Sequence, residues 1–354
     1  EDYLPKLADV TFQERLGTVL QKAQRMESLA GAVAALSLGL DDEHVAMARR
    51  AGLLAKADLV TQAVVEFTSQ QGVMGGYYAK AAGEPAEVCD AIRDQYRPRF
   101  AGDEVPAGTV GVAVAVADKL DTICGMFAID QPPTGSSDPF AVRRSAIGVI
   151  AMLRDAPRKA LGELVSRSLD AYEAQGLEFD ADAVRAAVEA FFRGRLATIA
   201  RDEGVSPDSV EAVSAVGVVD PSEFLARAHA LQDARSQSPE LFEDLAHAYA
   251  RAAHLADARL GSEVDESLLG DAERALLDAC RQGAAAVDAA LAADDFDAAF
   301  AALAGLRGPI DRFFDDVLVM DEDDAVRENR LRLLNAFVAV FADVADVSAL
   351  SRRK

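Results

Sequence analysis

The chain has 354 residues, 51% of them hydrophobic, which is ample for packed cores and excludes a disordered chain. Its formal charge is −23, with 15 basic against 21 acidic residues over positions 1–155 and 21 against 38 beyond, so any phosphate contact must come from local basic islands in an otherwise repelling surface. No run of 18 apolar residues predicts a membrane span, and three scattered cysteines, Cys89, Cys124 and Cys280, fit reduced thiols in cytoplasm and exclude a disulfide framework or zinc knuckle.

The start, Glu1-Asp-Tyr-Leu-Pro-Lys, has no initiating Met and no basic-then-apolar leader, so we expect a longer chain cut before Glu1 and no signal peptide. Over 13–40, Leu16, Val19, Leu20, Ala23, Met26, Leu29 and Val33 recur at helical spacing, with Gly39 as a stop and Asp41 or Asp42 as the next cap. The first half of the stretch Arg49–Tyr78 reads as a helix through Leu53, Leu54, Ala57, Val60, Val64 and Val65, and its second half ends in the permissive Gly72, Gly75 and Gly76. Lys56 and Asp58 interrupt its apolar side. The plainer expectation is that both lie on the wet edge; a buried charge there must be paired or belong to a site.

A helix from Glu84-Pro85 is broken by Arg97-Pro98-Arg99, and Thr109–Met126 is a long apolar helix whose only charges are Asp118, Lys119 and Asp121. Thr134–Pro139 reads as a turn, with Asp138 as cap and Pro139 at the first helical position. Helices follow at 158–175, 182–202, after Pro207 and at 224–231, then at 240–260, 271–293, 296–306, 309–319 and 324–343. No segment alternates with period two, so no sheet is expected: the chain reads as all-α. Boundaries at Asp155–Pro157 and Ser236–Pro239 divide it into 1–155, 156–235 and 236–354.

Two sets of arginines are the phosphate candidates. Arg97 and Arg99 sit on a stiffened backbone beside Tyr96 and Phe100, and Arg143 and Arg144 sit near a helix start. At the far end, Arg327 and Arg330 share a helix face with Asn329 beside them. No glycine-rich phosphate loop and no serine–histidine–acid set is present.

Four strings carry a resemblance: AGLLAKADL with EFTSQQGVMG, then QYRPRFAG (95–102), ADKLDT (117–122) and DPFAVRRSA (138–146). In this order and spacing they resemble the β subunit of the bacterial heterotetrameric glycyl-tRNA synthetase, in its HD-phosphohydrolase-like region. Residues 313–348 are similar to that family's C-terminal anticodon-binding region, with Asp324-Ala-Val-Arg327 resembling its Asp-Ala-Leu-Arg signature.

The resemblance implies an HD-like domain, a helical connector and a DALR-like anticodon-binding bundle. It implies tRNA(Gly) contacts from Arg97, Arg99, Arg143 and Arg144, and anticodon contacts from Arg327, Asn329, Arg330 and Arg251. It also implies partnership with an α subunit that uses ATP and Mg, and with a second β subunit. This chain would then bind no cofactor and supply no catalytic residue. The family of HD hydrolases holds metal through a His-Asp pair and a later Asp; the pair falls here on Ala55-Lys56, leaving only Asp118. Lys56, Asp58 and Asp118 then form a relic site without metal, in which Lys56 is expected to pair with Asp58, Asp118 or Asp121. The alternatives are a divergent HD hydrolase built on Asp118 and a helical interaction scaffold.

Overall fold

The computed structural model describes residues 1–100, 102–135 and 137–351. Ala101 of the QYRPRFAG string and Ser136 of the 134–139 turn lie outside them. Two compact units are formed, one from residues 1–195 and 219–222, the other from 196–218 and 223–354.

The first unit opens with a two-stranded antiparallel ribbon, β1 (Thr11–Gln13) and β2 (Gly17–Thr18). This corrects the expectation of no sheet and of a helix from residue 13. Strands of three and two residues are too short to show alternation. The chain reverses between them because the Gln13 side-chain oxygen accepts from the Arg15 and Leu16 amides and Gly17 adopts φ +92°. Helix α1 (Val19–Ala32) therefore starts six residues later, under a capping box in which Thr18 and Gln21 satisfy each other's free amides. Then come α2 (Asp42–Leu54), α3 (Gln62–Glu66), α4 (Val73–Ala81), α5 (Ala86–Asp94), α6 (Thr109–Ala128), α7 (Val142–Leu153) and α8 (Leu161–Ala174).

Helix α6 is the spine of this unit. Its Val114, Ala115, Val116, Ala117, Leu120, Ile123 and Cys124 are fully buried, and α1, α2, α5, α7 and α8 all pack on it. Close approach is permitted by small residues. A Cβ on Gly52 would meet the α1 backbone at Met26 O, 2.8 Å away, and one on Gly125 would meet the Tyr172 hydroxyl at 2.3 Å.

The single helix expected over the first half of Arg49–Tyr78 is instead three pieces. Helix α2 stops at Leu54, a 3-10 turn covers Ala57–Val60, and α3 is five residues long. Val65, expected on the apolar side, is exposed. Helix α7 also starts later than expected. Asp138 caps it from a distance, accepting from the Val142 and Arg143 amides at 2.7 and 3.1 Å, so Pro139 lies in the preceding turn and not at the first helical position.

The remaining helices are α9 (Ala181–Asp202), α10 (Pro207–Ser214), α11 (Pro221–Gln237), α12 (Pro239–Leu255), α13 (Asp271–Ala292), α14 (Phe296–Ala304), α15 (Arg307–Asp316) and α16 (Asp324–Ala339). In the second unit α13 packs on α14, α15 and α16, and α12 packs on α16. Phe300, Phe313, Phe337 and Phe341 are buried among them. No helix of the described residues is long and apolar enough to cross a membrane.

Candidate nucleic-acid interface and a buried charge cluster

Lys56 and Asp58 do not lie on a wet edge; they are 4% and 2% exposed. The Lys56 ammonium meets Asp118 Oδ2 at 3.0 Å and stands 4.0 Å from the centroid of the Tyr96 ring. The other oxygen of Asp118 is 3.0 Å from Lys22 Nζ, which also reaches Asp121 Oδ2 at 3.0 Å. Arg25 then closes on Asp121 at 2.6 Å and donates to the Tyr172 hydroxyl at 3.1 Å. Spacing makes this possible. Lys22 and Arg25 are three apart on α1, Asp118 and Asp121 three apart on α6, so each pair presents one face to the other.

Burial by itself pushes the Asp118 carboxyl up, but Lys22, Lys56 and Lys119 outweigh it and hold the group well below the usual carboxylate range. Asp121 is lowered in the same way, with Lys22 and Arg25 overcoming its burial. Asp58 has a different office. Its Oδ2 accepts from the Gly72 and Gly75 amides at 2.7 and 3.0 Å, anchoring the first turn of α4. Its Oδ1 is buried without a hydrogen-bond partner, and burial raises its pKa. A Cβ on Gly75 would come within 3.1 Å of Asp58 Oδ2, and Gly72 holds φ +79°.

The donor set does not suit a divalent ion. Both oxygens of Asp118 are taken by ammonium groups, and among the described residues no three His, Cys, Asp or Glu side chains converge to hold a metal. The cluster is a lattice of ion pairs tying α1 and α6 to the start of the 3-10 turn. Lys22 and Arg25 were not singled out from sequence, and Lys119 was noted only as a charge on the long apolar helix. Their signal was a charged pair at helical spacing on α1 opposite another on α6.

The Arg-Pro-Arg turn is mounted on this cluster. Lys119 donates to the carbonyls of Tyr96 and Arg97, at 3.3 and 2.8 Å. Burial, reinforced by Lys56 and Lys22 and opposed by Asp118, pushes the Lys119 pKa down to about 8. Pro98 follows a cis peptide and packs at Gly148, where a Cβ would lie 3.2 Å from the proline ring.

Most of the candidate arginines here have carboxylate neighbours. Arg97 pairs with Glu104 at 3.0 Å, Arg99 with Asp103 at 3.4 Å and Arg143 with Asp138 at 3.4 Å. Arg144 differs. It is exposed, has no carboxylate partner among the described residues, and donates to the Arg99 carbonyl at 3.3 Å. The fold thus joins Arg99 and Arg144, 45 residues apart, on one surface.

In the second unit Asn329 does not belong to an exposed stripe. It is 2% exposed; its Oδ1 accepts from the Asp265 amide at 2.7 Å and its Nδ2 donates to the Asp265 carbonyl at 2.9 Å. It fastens the loop before α13. Arg330 is likewise engaged, with Glu273 at 2.6 Å, Asp321 at 2.7 Å and the Leu318 carbonyl at 2.9 Å. Arg327 pairs with Asp324 and donates to the Asp321 carbonyl at 2.8 Å. Both therefore hold the strap 317–323 between α15 and α16. Arg251 is exposed and lies 4.0 Å from the centroid of the Phe314 ring, with no carboxylate partner among the described residues.

Two family models cover most of the chain. Residues 1–215 match the model described as glycyl-tRNA synthetase beta subunit. The chain belongs to the glycyl-tRNA synthetase beta subunit family. Residues 245–348 match the DALR anticodon binding domain model, which spans α16, its strap and Arg251. The glycine–tRNA ligase beta subunits of Vibrio cholerae serotype O1 and Desulforudis audaxviator are each 43% identical to it, over 99% and 97% of this chain, and that of Haemophilus influenzae is 42% identical over 99%. In each case the chain spans about half the length of the relative.

Proposed function

We propose that this chain is the tRNA-gripping C-terminal half of a glycyl-tRNA synthetase beta subunit. It holds tRNA(Gly) while an α subunit, in a cytoplasmic heterotetramer with a second β, performs ATP- and Mg-dependent glycylation. In this reading 1–155 is an HD-like domain whose metal chemistry is replaced by ion pairs, 156–235 a connector and 236–354 the anticodon-binding domain. The observation that carries it is that an unneutralised guanidinium stands on the surface of each unit, Arg144 beside the Arg-Pro-Arg turn and Arg251 within the stretch matching an anticodon-binding model. Two grips on one folded RNA fix its orientation, which lowers the entropic part of the barrier while contributing no reacting group.

A charge reversal tests this. Arg144→Glu should weaken tRNA(Gly) binding about tenfold at low salt. Glycine-dependent ATP–pyrophosphate exchange by the assembled enzyme should stay unchanged. An unaltered tRNA affinity would remove Arg144 from the interface.

A further inference from the structure

Lys119 carries a buried charge that the ion-pair lattice does not answer. It is 7% exposed on α6, yet among the described residues it makes no ion pair, because Asp118 and Asp121 are taken by Lys22, Lys56 and Arg25. Its hydrogen bonds go to backbone alone, the carbonyls of Tyr96 and Arg97. An apolar side chain of the same length would fill this place without the cost of desolvating an ammonium. The charge is therefore explained by what it holds. We propose that Lys119 is a positioning residue for RNA: it seats the Arg-Pro-Arg turn, and through that turn it sets the Arg144 guanidinium against a phosphodiester of the bound tRNA. The inference rests on the tRNA-binding reading above and adds to it the buried residue on which the first unit's grip depends.

Three contacts form the seat. From α6, Lys119 takes the two carbonyls at the start of the turn. From α7, Gly148 leaves room for the lysine and the proline at once, since a Cβ there would lie 3.0 Å from Lys119 Cε and 3.2 Å from Pro98 Cγ. Arg144, one helical turn before Gly148 on the same face, donates to the Arg99 carbonyl at 3.3 Å. The turn is thus fixed at both ends, with Pro98 buried between them while Arg99 and Phe100 face solvent. Asp103 also accepts from the Arg99 amide, at 2.8 Å, but it belongs to the same loop and travels with it.

The consequence falls on Arg144. Its stem is long and flexible, and the Arg99 carbonyl is what holds its guanidinium in place. A planar cation already fixed gives up less freedom on meeting a phosphate than a loose one does. Releasing the carbonyls of Tyr96 and Arg97 frees the Arg99 carbonyl two residues on, and Arg144 with it. Lys119 itself, buried beneath the turn, does not touch the nucleotide.

The test measures binding of the whole 354-residue chain to a tRNA(Gly) transcript across a salt titration, well below the unfolding temperature of each variant. Lys119→Met keeps an apolar stem against Gly148 and removes both bonds to the turn. Gly148→Ala keeps every charge and crowds the lysine off its seat, while adding helix propensity to α7; it carries the test alone if Lys119→Met does not fold. Each should weaken binding about fivefold at low salt and make the salt slope shallower by about one, as loss of one phosphate contact does. In an Arg144→Ala background neither should weaken binding further, because both act through that guanidinium. Full multiplication of the Lys119→Met and Arg144→Ala effects, or an affinity that Gly148→Ala leaves unchanged, would overturn the positioning role while leaving tRNA binding intact. Failure of the unaltered chain to bind tRNA above an equally long unstructured RNA would overturn the tRNA-binding reading itself.

Discussion

Asp118 sits between two ammonium groups, one on each carboxylate oxygen, and its acidity follows from that placement. Because its folded pKa lies below the unfolded value of ~3.9, its stabilising contribution is complete above about pH 5 and is lost as pH falls. Asp121 acts in the same sense. Asp118 should account for about 1 kcal/mol of lost stability between pH 5 and pH 3, with Asp121 adding in the same direction. Asp118→Asn should lower stability at pH 7 by about 3 kcal/mol, since it leaves buried Lys56 without its carboxylate, and should flatten the acid limb by that group's share. Denaturant unfolding at both pH values checks this; a parallel acid limb in the variant would show that Asp118 is not held low. The residue pattern made Lys56 and Asp118 visible as charges on apolar helices. It could not show their burial, because the partner Lys22 comes from a helix some 96 residues away from Asp118 in sequence and carries no signature of its own.

Among the elements, the strap 317–323 depends most on distant contacts. Arg330 ties it to Glu273 on α13, a residue almost wholly buried. Arg330→Met should leave that carboxylate with the Gly270 amide as its remaining hydrogen bond and cost the second unit about 3 kcal/mol. Amide exchange at 317–323 should rise with it, and unchanged protection there would mean that other contacts hold the strap. Long helices such as α6, α8 and α13 were legible because apolar composition, helix propensity and end signals are local properties of the sequence. The Arg49–Tyr78 stretch was not, since Asp58 turns inward to anchor Gly72 and Gly75, and that bond is invisible to a local pattern. Likewise the arginines of α16 were legible as a helical stripe, whereas the inward reach of Arg330 depends on Glu273, 57 residues away.

At the scale of the molecule, a formal charge of −23 sets the terms on which this chain meets RNA. Most of its surface repels phosphate, and most of the candidate arginines already face carboxylates, so affinity rests on few contacts and on the shape of a folded partner. Sequence made the all-helical plan readable, but the sorting of arginines into paired and unpaired needed the fold. The most direct measurement is a salt titration of binding to tRNA(Gly) beside an unstructured RNA of equal length. The account predicts clearly tighter binding of tRNA, with a shallow salt slope of about −2 to −4 in log affinity against log salt. Equal affinity for the two RNAs at every salt concentration would contradict it.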